Sequence, residues 1–276
     1  MKYSLKEILD LAEARGVAVP AFNVYNLETL MGVVNAAKEM NAPIIVQMYS
    51  RLFNTDSGRM LSPVIVDLMN SLKIPMAFHL DHGAGIPECT RAIRFGATGI
   101  MIDASTLPLD GNIKETKRAV ALAKEVGVSV EGELGHIGST KDEKWDAYTE
   151  VADAVRYVDE SGIDALAIMV GTAHGKYQKA PVLAIDRIAE IHSAANAHLV
   201  LHGGSGVPDD QISAAIKAGI RKINFGTDVC YAFVDGYKAQ DPLSAPLDVI
   251  MTRTSESVKA FAIEKIKLLG ADKIEW

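Results

Sequence analysis

The chain has 276 residues, of which 49% are hydrophobic and 23% are charged, an ordinary balance for a globular protein with a large core. Its net charge of -7 argues against a protein that binds the phosphate backbone of nucleic acid. Two cysteines, Cys89 and Cys230, are too few for a disulfide framework, and no apolar run approaches the roughly 18 residues of a membrane helix. We therefore predict a cytoplasmic protein that acts neither on nucleic acid nor in a membrane.

Eight short apolar runs alternate with helical patterns along the chain. The runs are mostly continuous in Val, Ile, Leu, Ala and Met, as strands covered on both faces should be. They span 19–24, 43–48, 75–81, 99–103, 128–134, 165–170, 199–204 and 222–227. Helical patterns lie between them, for example over 29–40, 87–95, 113–126, 148–161, 183–194 and 208–218.

This alternation predicts parallel βαβ units in an α/β protein. Eight units in a chain of this length favour a single (β/α)8 barrel domain over residues 1–276, and a doubly wound open sheet is the alternative. Residues 1–7 open an amphipathic helix and lack the apolar core of a signal peptide. A tail begins at about Asp241, and we predict a helix over 247–269 that packs on the barrel or on a partner.

Polar side chains collect where the predicted strands end, which is where the functional residues of a barrel lie. Asp81 and His82 follow the third strand, His174 lies after the sixth, and His202 comes at the end of the seventh. Three imidazoles at these positions can converge on one ion and leave open positions for a substrate, as in a catalytic metal site. Taken alone, the Asp81–His82 pair is more simply a capping hydrogen bond at a strand end.

The segment His-Gly-Gly-Ser-Gly at 202–206 has a second interpretation as an anion site. Its glycines allow backbone N–H groups to turn toward a phosphate, and Ser205 adds a hydroxyl. Loops after the seventh and eighth strands of a barrel commonly bind phosphate, and Asn224 with Thr227 supplies the eighth-strand side. A simple tight turn is the alternative, but the position next to His202 favours phosphate.

Five motifs resemble those of the class II ketose-phosphate aldolases, zinc-dependent enzymes that include fructose-bisphosphate and tagatose-bisphosphate aldolases. The motifs are His79-Leu-Asp-His-Gly83, Glu131-Gly-Glu-Leu-Gly135, Gly171-Thr-Ala-His-Gly175, His202-Gly-Gly-Ser-Gly206 and Asn224 with Thr227-Asp228. The resemblance covers almost the whole chain, from Ala21-Phe-Asn23 to the C-terminal helix.

The resemblance implies a role for each matching residue. His82, His174 and His202 would bind the catalytic zinc, which would polarise the ketone of dihydroxyacetone phosphate. Asp81 would exchange the proton on the hydroxyl of the carbon next to the cleaved bond. The residues that would hold dihydroxyacetone phosphate, mostly by its phosphate, are Gly175, Gly203, Gly204, Ser205, Asn224 and Thr227.

Asp103 and Glu133 match positions at which some members of the family bind a second divalent metal. The alternative is that both carboxylates form hydrogen bonds to the histidine ligands. Whether a monovalent cation assists is left open. The resemblance also suggests a homodimer or homotetramer, a small-molecule sugar phosphate as partner, and a place in carbohydrate metabolism such as glycolysis.

The chain departs from the family pattern in two loops. Many members carry a glutamate in the loop after the fifth strand, and that glutamate is a candidate for moving the carbon-bound proton of the substrate. In this chain Lys141 falls at that place, and His136, Asp142 and Glu143 are the alternative bases.

The second departure follows the second strand, where the family usually has a serine in a small glycine-containing loop. This chain has Tyr49-Ser-Arg-Leu-Phe53 instead. Arg51 could contact a carboxylate, sulfonate or phosphate on the aldehyde half of the substrate, and a solvated surface arginine is the alternative. Arg253 in the tail could reach a distal phosphate.

We therefore expect a zinc-dependent lyase that reversibly splits a ketose 1-phosphate or 1,6-bisphosphate into dihydroxyacetone phosphate and an aldehyde. One alternative is the same retro-aldol chemistry on an acidic or deoxy ketose 1-phosphate. Others are a metal-dependent sugar-phosphate isomerase or epimerase, and an inactive barrel that binds a protein partner.

Overall fold

A computed structural model describes residues 1–139, 148–175, 177, 179–241 and 243–276. Within them, parallel strands form a closed barrel in which each strand pairs with the next and the last pairs with the first. The strands are β1 Val19–Asn23, β2 Ile44–Tyr49, β3 Met76–Gly83, β4 Gly99–Ile102, β5 Ser129–Leu134, β6 Ala165–Ile168, β7 His198–Leu201 and β8 Ile220–Phe225. The predicted (β/α)8 barrel is confirmed, and the open sheet is wrong.

Helices surround the barrel. They are α1 Leu5–Arg15, α2 Leu27–Met40, α3 Ser50–Phe53, α4 Asp56–Ser71, α5 Ile86–Arg94, α6 Leu109–Lys124, α7 Val151–Ser161, α8 Ile185–Ala194, α9 Asp209–Ala218, α10 Thr227–Lys238 and α11 Leu247–Leu269. Of these helices, α2 to α9 connect successive strands. The tail helix α11 covers the predicted residues and packs chiefly on α2 and α10. No helix in the described part of the chain is long and apolar enough to cross a membrane.

Helix α1 closes the amino-terminal end of the barrel. Its first turn is fixed by a capping box, in which the Ser4 hydroxyl accepts from the Glu7 N–H and the Glu7 carboxylate accepts from the Ser4 N–H. The buried side chains of α1, Leu5 and Ile8 among them, pack against small apolar residues of the strands such as Ala21 and Ala77. This half of the interior is therefore filled, and the open half lies at the carboxyl ends.

The barrel interior becomes polar towards the carboxyl ends of the strands. The buried polar and charged side chains there include Gln47, His79, Asp81, Glu131, Glu133, His202 and Lys222. Isolated buried charges are costly, so these groups must be paired or hold a ligand. Cys89 and Cys230 are both free thiols, consistent with the predicted absence of a disulfide framework.

Candidate active site

The three predicted histidines come together at the carboxyl end of the barrel. The ring centroid of His82 lies 4.8 Å from that of His174 and 4.8 Å from that of His202. The His174 and His202 centroids are 5.8 Å apart. One ring nitrogen from each histidine lies within 4.8 Å of the others, a separation that a single metal ion can bridge.

An irregularity in β3 places His82 in this group. We predicted that the strand ends at Asp81, but it continues to Gly83, with a register shift against β4 between Leu80 and Gly83. His82 has φ 51, in the left-handed region that side chains other than glycine rarely adopt. Such strain persists only where the surrounding structure imposes it, and it is common at functional sites.

The ring nitrogens of His82 and His202 have defined neighbours. His82 Nδ1 lies 2.8 Å from Asp103 Oδ2, and His82 Nε2 lies 3.0 Å from His202 Nδ1. His202 Nε2 lies 2.7 Å from Glu131 Oε1. Each imidazole therefore has one nitrogen on a carboxylate and the other directed at the cluster, the arrangement usual for metal-ligating histidines.

Two buried atoms beside the cluster have no hydrogen-bond partner among the described residues. They are His174 Nε2 and Glu133 Oε2. Glu133 Oε2 lies 3.9 Å from His82 Nδ1 and 3.9 Å from His202 Nδ1. Buried polar atoms are rarely left unpaired in folded proteins, and a cation would satisfy both. Three imidazoles with an adjacent carboxylate are a donor set that suits zinc.

His82 also belongs to a second group of possible metal ligands, together with Asp103 and Glu133. The ligand atoms of these three residues lie within 4.8 Å of one another. Asp103 is already engaged, because its Oδ1 accepts from the Ser105 hydroxyl at 2.7 Å while its Oδ2 faces His82. Glu133 Oε1 accepts from the Ile137 N–H at 3.0 Å. The geometry of Asp103 thus matches the hydrogen-bond interpretation, whereas Glu133 keeps one oxygen for a cation.

The three histidines differ in the direction in which their surroundings shift the pKa. Burial, assisted by the neighbouring imidazoles, lowers the pKa of His174 to about 3, and burial likewise lowers the pKa of His202. Burial also opposes charge on His82, but the carboxylates around it, foremost Asp81, raise its pKa to about 9. Burial raises the pKa of Glu133 to about 8. His174 and His202 are therefore neutral at pH 7, and His82 lies where the carboxylates favour positive charge.

Asp81 is buried beside the cluster and held by amides. Its Oδ2 accepts from Asn23 Nδ2 at 2.7 Å and its Oδ1 from Asn224 Nδ2 at 3.2 Å. Gln47 Nε2 in turn donates to Asn23 Oδ1 at 2.9 Å. Burial opposes ionisation, but nearby positive groups, His82 foremost, keep the pKa of Asp81 below its usual range. Asp81 is thus a fixed, ionised carboxylate.

A cavity of about 650 Å³ opens over these residues, and most of the predicted phosphate residues line it: Gly175, Gly203, Ser205, Asn224 and Thr227. Gly203 has φ 64, and a Cβ there would lie 2.5 Å from the Ala173 carbonyl oxygen, so the position requires glycine. The Ser205 hydroxyl accepts from the Asp228 N–H at 3.1 Å, which fixes this loop to the start of α10.

Gly204 does not line the cavity. Its N–H donates to the Asn224 carbonyl at 3.1 Å, and a Cβ there would lie 2.5 Å from a side-chain carbon of Ile223. The residue therefore anchors the loop on β8 instead of pointing its N–H into the open space.

Arg51 lines the same cavity from α3. The central carbon of its guanidinium lies 5.8 Å from the Tyr49 ring centroid, and that ring lies 5.6 Å from the His82 ring. The Tyr49 ring thus lies between Arg51 and His82, and Arg51 itself is exposed to solvent. Arg253 is exposed on α11 and does not line this cavity.

Of the alternative bases in the loop after β5, only His136 lies within the described residues. His136 lines the cavity, with Nδ1 3.1 Å from the Ser105 hydroxyl. Lys141, Asp142 and Glu143 lie outside the described residues.

Sequence reasoning gave no role to several residues that line the cavity, among them Asn23 and Tyr25 at the end of β1 and Ile137, Gly138 and Ser139 after β5. The rule that polar residues at strand ends form the site would have found Asn23. The small residues of the fifth loop carry no such signal.

Comparisons with known proteins agree with this geometry. A family model described as fructose-bisphosphate aldolase class-II matches residues 3–273. A sulfofructosephosphate aldolase from Alkalicoccus urumqiensis is 35% identical over 275 residues, which cover 94% of this chain and 96% of that protein. The structure of the YdjI aldolase from Escherichia coli K12 is 33% identical and covers 100% of both chains with a TM-score of 0.91. A fructose-bisphosphate aldolase from Campylobacter jejuni is 23% identical with a TM-score of 0.85, covers 99% of this chain and 97% of its own, and supports the fold alone.

Proposed function

The chain belongs to the class II fructose-bisphosphate aldolase family, and we propose that this aldolase uses zinc to cleave a phosphorylated ketose. The substrate is a ketose 1-phosphate or 1,6-bisphosphate, and the products are dihydroxyacetone phosphate and an aldehyde. The observation that carries the proposal is the convergence of three imidazoles beside the buried carboxylate of Asp81. Family membership favours this aldolase over the isomerase and over an inactive barrel.

His82, His174 and His202 would hold the ion. When bound, zinc supplies Lewis-acid polarisation of the substrate ketone. The unpaired Glu133 Oε2 and the negative surroundings of His82 support a cation here. Glu133 is our proposed ligand for a second divalent metal, whereas we propose that Asp103 orients His82 through its contact with Nδ1. A monovalent cation stays a prediction.

Asp81 would take the proton from the hydroxyl on the carbon next to the cleaved bond. The electron pair of that O–H bond forms the aldehyde C=O, the C–C bond breaks, and its electrons pass to the dihydroxyacetone phosphate half, which then accepts a proton on carbon. The amides of Asn23 and Asn224 hold Asp81 in place for this transfer. His136 is the described candidate for the donor of the carbon-bound proton, because it lines the cavity.

The phosphate of dihydroxyacetone phosphate would bind at Gly175, Gly203, Ser205 and Thr227. The left-handed backbone at Gly203 and the fixed Ser205 loop support this assignment, since such turns direct N–H groups at anions. Gly204 supports the site through its hydrogen bond to Asn224.

A second candidate substrate is a ketose 1-phosphate with an acidic group at its far end, a sulfonate or a carboxylate. Arg51 supports it, because a guanidinium in the cavity gives charge-assisted hydrogen bonds to such groups. The name of the Alkalicoccus urumqiensis relative, a sulfofructosephosphate aldolase, points to the sulfonate.

We also propose a homodimer or homotetramer. Tyr231, Val234 and Tyr237 recur along α10 and are exposed, and Leu243 and Leu247 beyond it are 92% and 69% exposed. Exposed apolar patches of this kind often mark protein–protein contacts. The cytoplasmic location and a role in glycolysis stay predictions.

The proposal is tested by measuring dihydroxyacetone phosphate release from a panel of fructose and tagatose bisphosphates, 6-sulfonated fructose 1-phosphate and an acidic ketose 1-phosphate. Each substrate is assayed before and after a chelator, and again with zinc added back. Chelator-sensitive release from one of them supports the proposal and names the substrate. Zinc-replete protein that releases nothing from any of them refutes it.

A further inference from the structure

A chain of charged side chains is buried in the barrel behind His202. Glu131 on β5 and Lys222 on β8 are both fully buried, and Lys222 Nζ lies 2.8 Å from Glu131 Oε2. The other oxygen of the same carboxylate, Oε1, lies 2.7 Å from His202 Nε2. Both side chains are closed off from solvent, and neither lines the cavity.

This contact decides which nitrogen of His202 carries a proton. An ionised carboxylate only accepts hydrogen bonds, so the imidazole must place its N–H on Nε2 to donate to Glu131. Nδ1 then has a free lone pair, and it is the atom that lies 3.0 Å from His82 Nε2 inside the cluster. A metal binds imidazole through such a lone pair, and the hydrogen bond of the other nitrogen fixes the tautomer.

Lys222 fixes the carboxylate. With one oxygen on Lys222 and the other on His202, Glu131 cannot rotate without losing a charge-assisted hydrogen bond. A buried ion pair seldom adds stability over apolar side chains of similar volume, and the interior of a barrel is usually filled by Val, Ile and Leu. The pair therefore has a role other than filling the core.

We propose that Glu131 and Lys222 are positioning residues that hold His202 in the tautomer and orientation in which Nδ1 binds zinc. The inference rests on the zinc site of the proposed function. It adds a positioning role for two interior residues that lie outside the cavity.

Three variants test it, Glu131→Gln, Lys222→Met and the double variant. Glutamine can donate through its amide to His202 Nε2, which shifts the ring proton to Nδ1 and blocks the lone pair. We expect the zinc dissociation constant, measured by competition with a chelator, to rise about 10- to 100-fold in Glu131→Gln, the usual effect of losing such a partner. The absorption spectrum of the cobalt-substituted protein should change as well.

The double variant separates positioning from stability. It removes both charges, so it leaves no unpaired ion in the core, and its metal-free thermal unfolding midpoint should lie above that of Lys222→Met. Its zinc affinity should nevertheless stay low. Asp164→Asn is the matched control. The Asp164 carboxylate accepts from the N–H of Val130, the residue before Glu131, at 2.8 Å, and no hydrogen bond or ion pair joins it to His82, His174 or His202. The control should bind zinc as the wild type does.

Two results overturn the inference. The first is that Glu131→Gln and the double variant both bind zinc with wild-type affinity and show an unchanged cobalt spectrum. This result would rule out the positioning role but not the zinc site. Wild-type protein that takes up no zinc would refute the proposed function together with this inference.

Discussion

Asp81 and His82 are consecutive residues, yet both side chains face the same cavity, with Asp81 Oδ1 3.9 Å from His82 Nε2. Successive side chains of a regular strand point to opposite faces. The left-handed backbone at His82, φ 51, and the register shift in β3 break this alternation. The carboxylate that we propose as proton acceptor and a histidine that we propose as metal ligand thereby come together at two adjacent positions.

Asp81→Asn should retain zinc and lose activity. The substitution keeps the size of the side chain but removes the carboxylate that accepts the hydroxyl proton, and general-base catalysis typically contributes about 10²- to 10⁴-fold. The check is kcat for dihydroxyacetone phosphate release together with zinc content per chain. A variant with kcat within about tenfold of the wild type would remove Asp81 from the reaction.

Gly203→Ala should weaken phosphate binding and stability more than Gly16→Ala does. Both glycines have φ 64, so both variants carry the left-handed strain of about 1–2 kcal/mol. A Cβ at Gly16 meets nothing within 4 Å, whereas at Gly203 it lies 2.5 Å from the Ala173 carbonyl oxygen. The free energy of unfolding in urea and KM for the phosphorylated ketose measure the two effects. Equal losses in both variants would contradict the close approach at Gly203.

Arg51→Met should lower kcat/KM for a ketose phosphate with an acidic far end. The loss should be about 10- to 100-fold, as expected of a hydrogen bond to a charged group worth about 1.5–3 kcal/mol. Cleavage of substrates with a neutral far end should change little. Arg59→Met is the control, because Arg59 is exposed on α4 and does not line the cavity. Arg51→Met with an unchanged preference would make Arg51 a solvated surface residue.

Zinc affinity should rise with pH. The surrounding carboxylates raise the pKa of His82 to about 9, so at neutral pH this imidazole holds a proton that zinc must displace. Since the pKa values of His174 and His202 are lowered, they bind as neutral ligands without releasing a proton. Calorimetry at pH 7.5 in buffers of different ionisation enthalpy should therefore show proton release on zinc binding, which diminishes above about pH 9. Zinc uptake without proton release would contradict this.

The sequence predicted the barrel because its strands are covered on both faces and read as continuous apolar runs. Helix α4, Asp56–Ser71, was not singled out, and it contains Pro63, a residue that usually ends or kinks a helix. The three histidines were found because each lies just after an apolar run that is easily recognised in the sequence.

The Glu131–Lys222 pair could not be placed in the same way. In a strand buried on both sides, the pattern does not say which side chains face the interior, so Lys222 gives no sign of its partner across the barrel. The loss of alternation at His82 is a backbone feature that residue types do not reveal. Gly204 resembles its glycine neighbours in sequence, and only the structure separates the residue that anchors the loop from those that line the cavity.

The most direct test of the account is a zinc titration of chelator-treated protein, with dihydroxyacetone phosphate release followed on the best substrate of the panel. We expect release to be lost with the metal and to return in full at one zinc per chain. His174→Ala should require far more zinc, while His192→Ala, a histidine near Glu13 at the other end of the barrel, should titrate like the wild type. Full release from zinc-free protein would contradict the central claim that three histidines hold a catalytic metal.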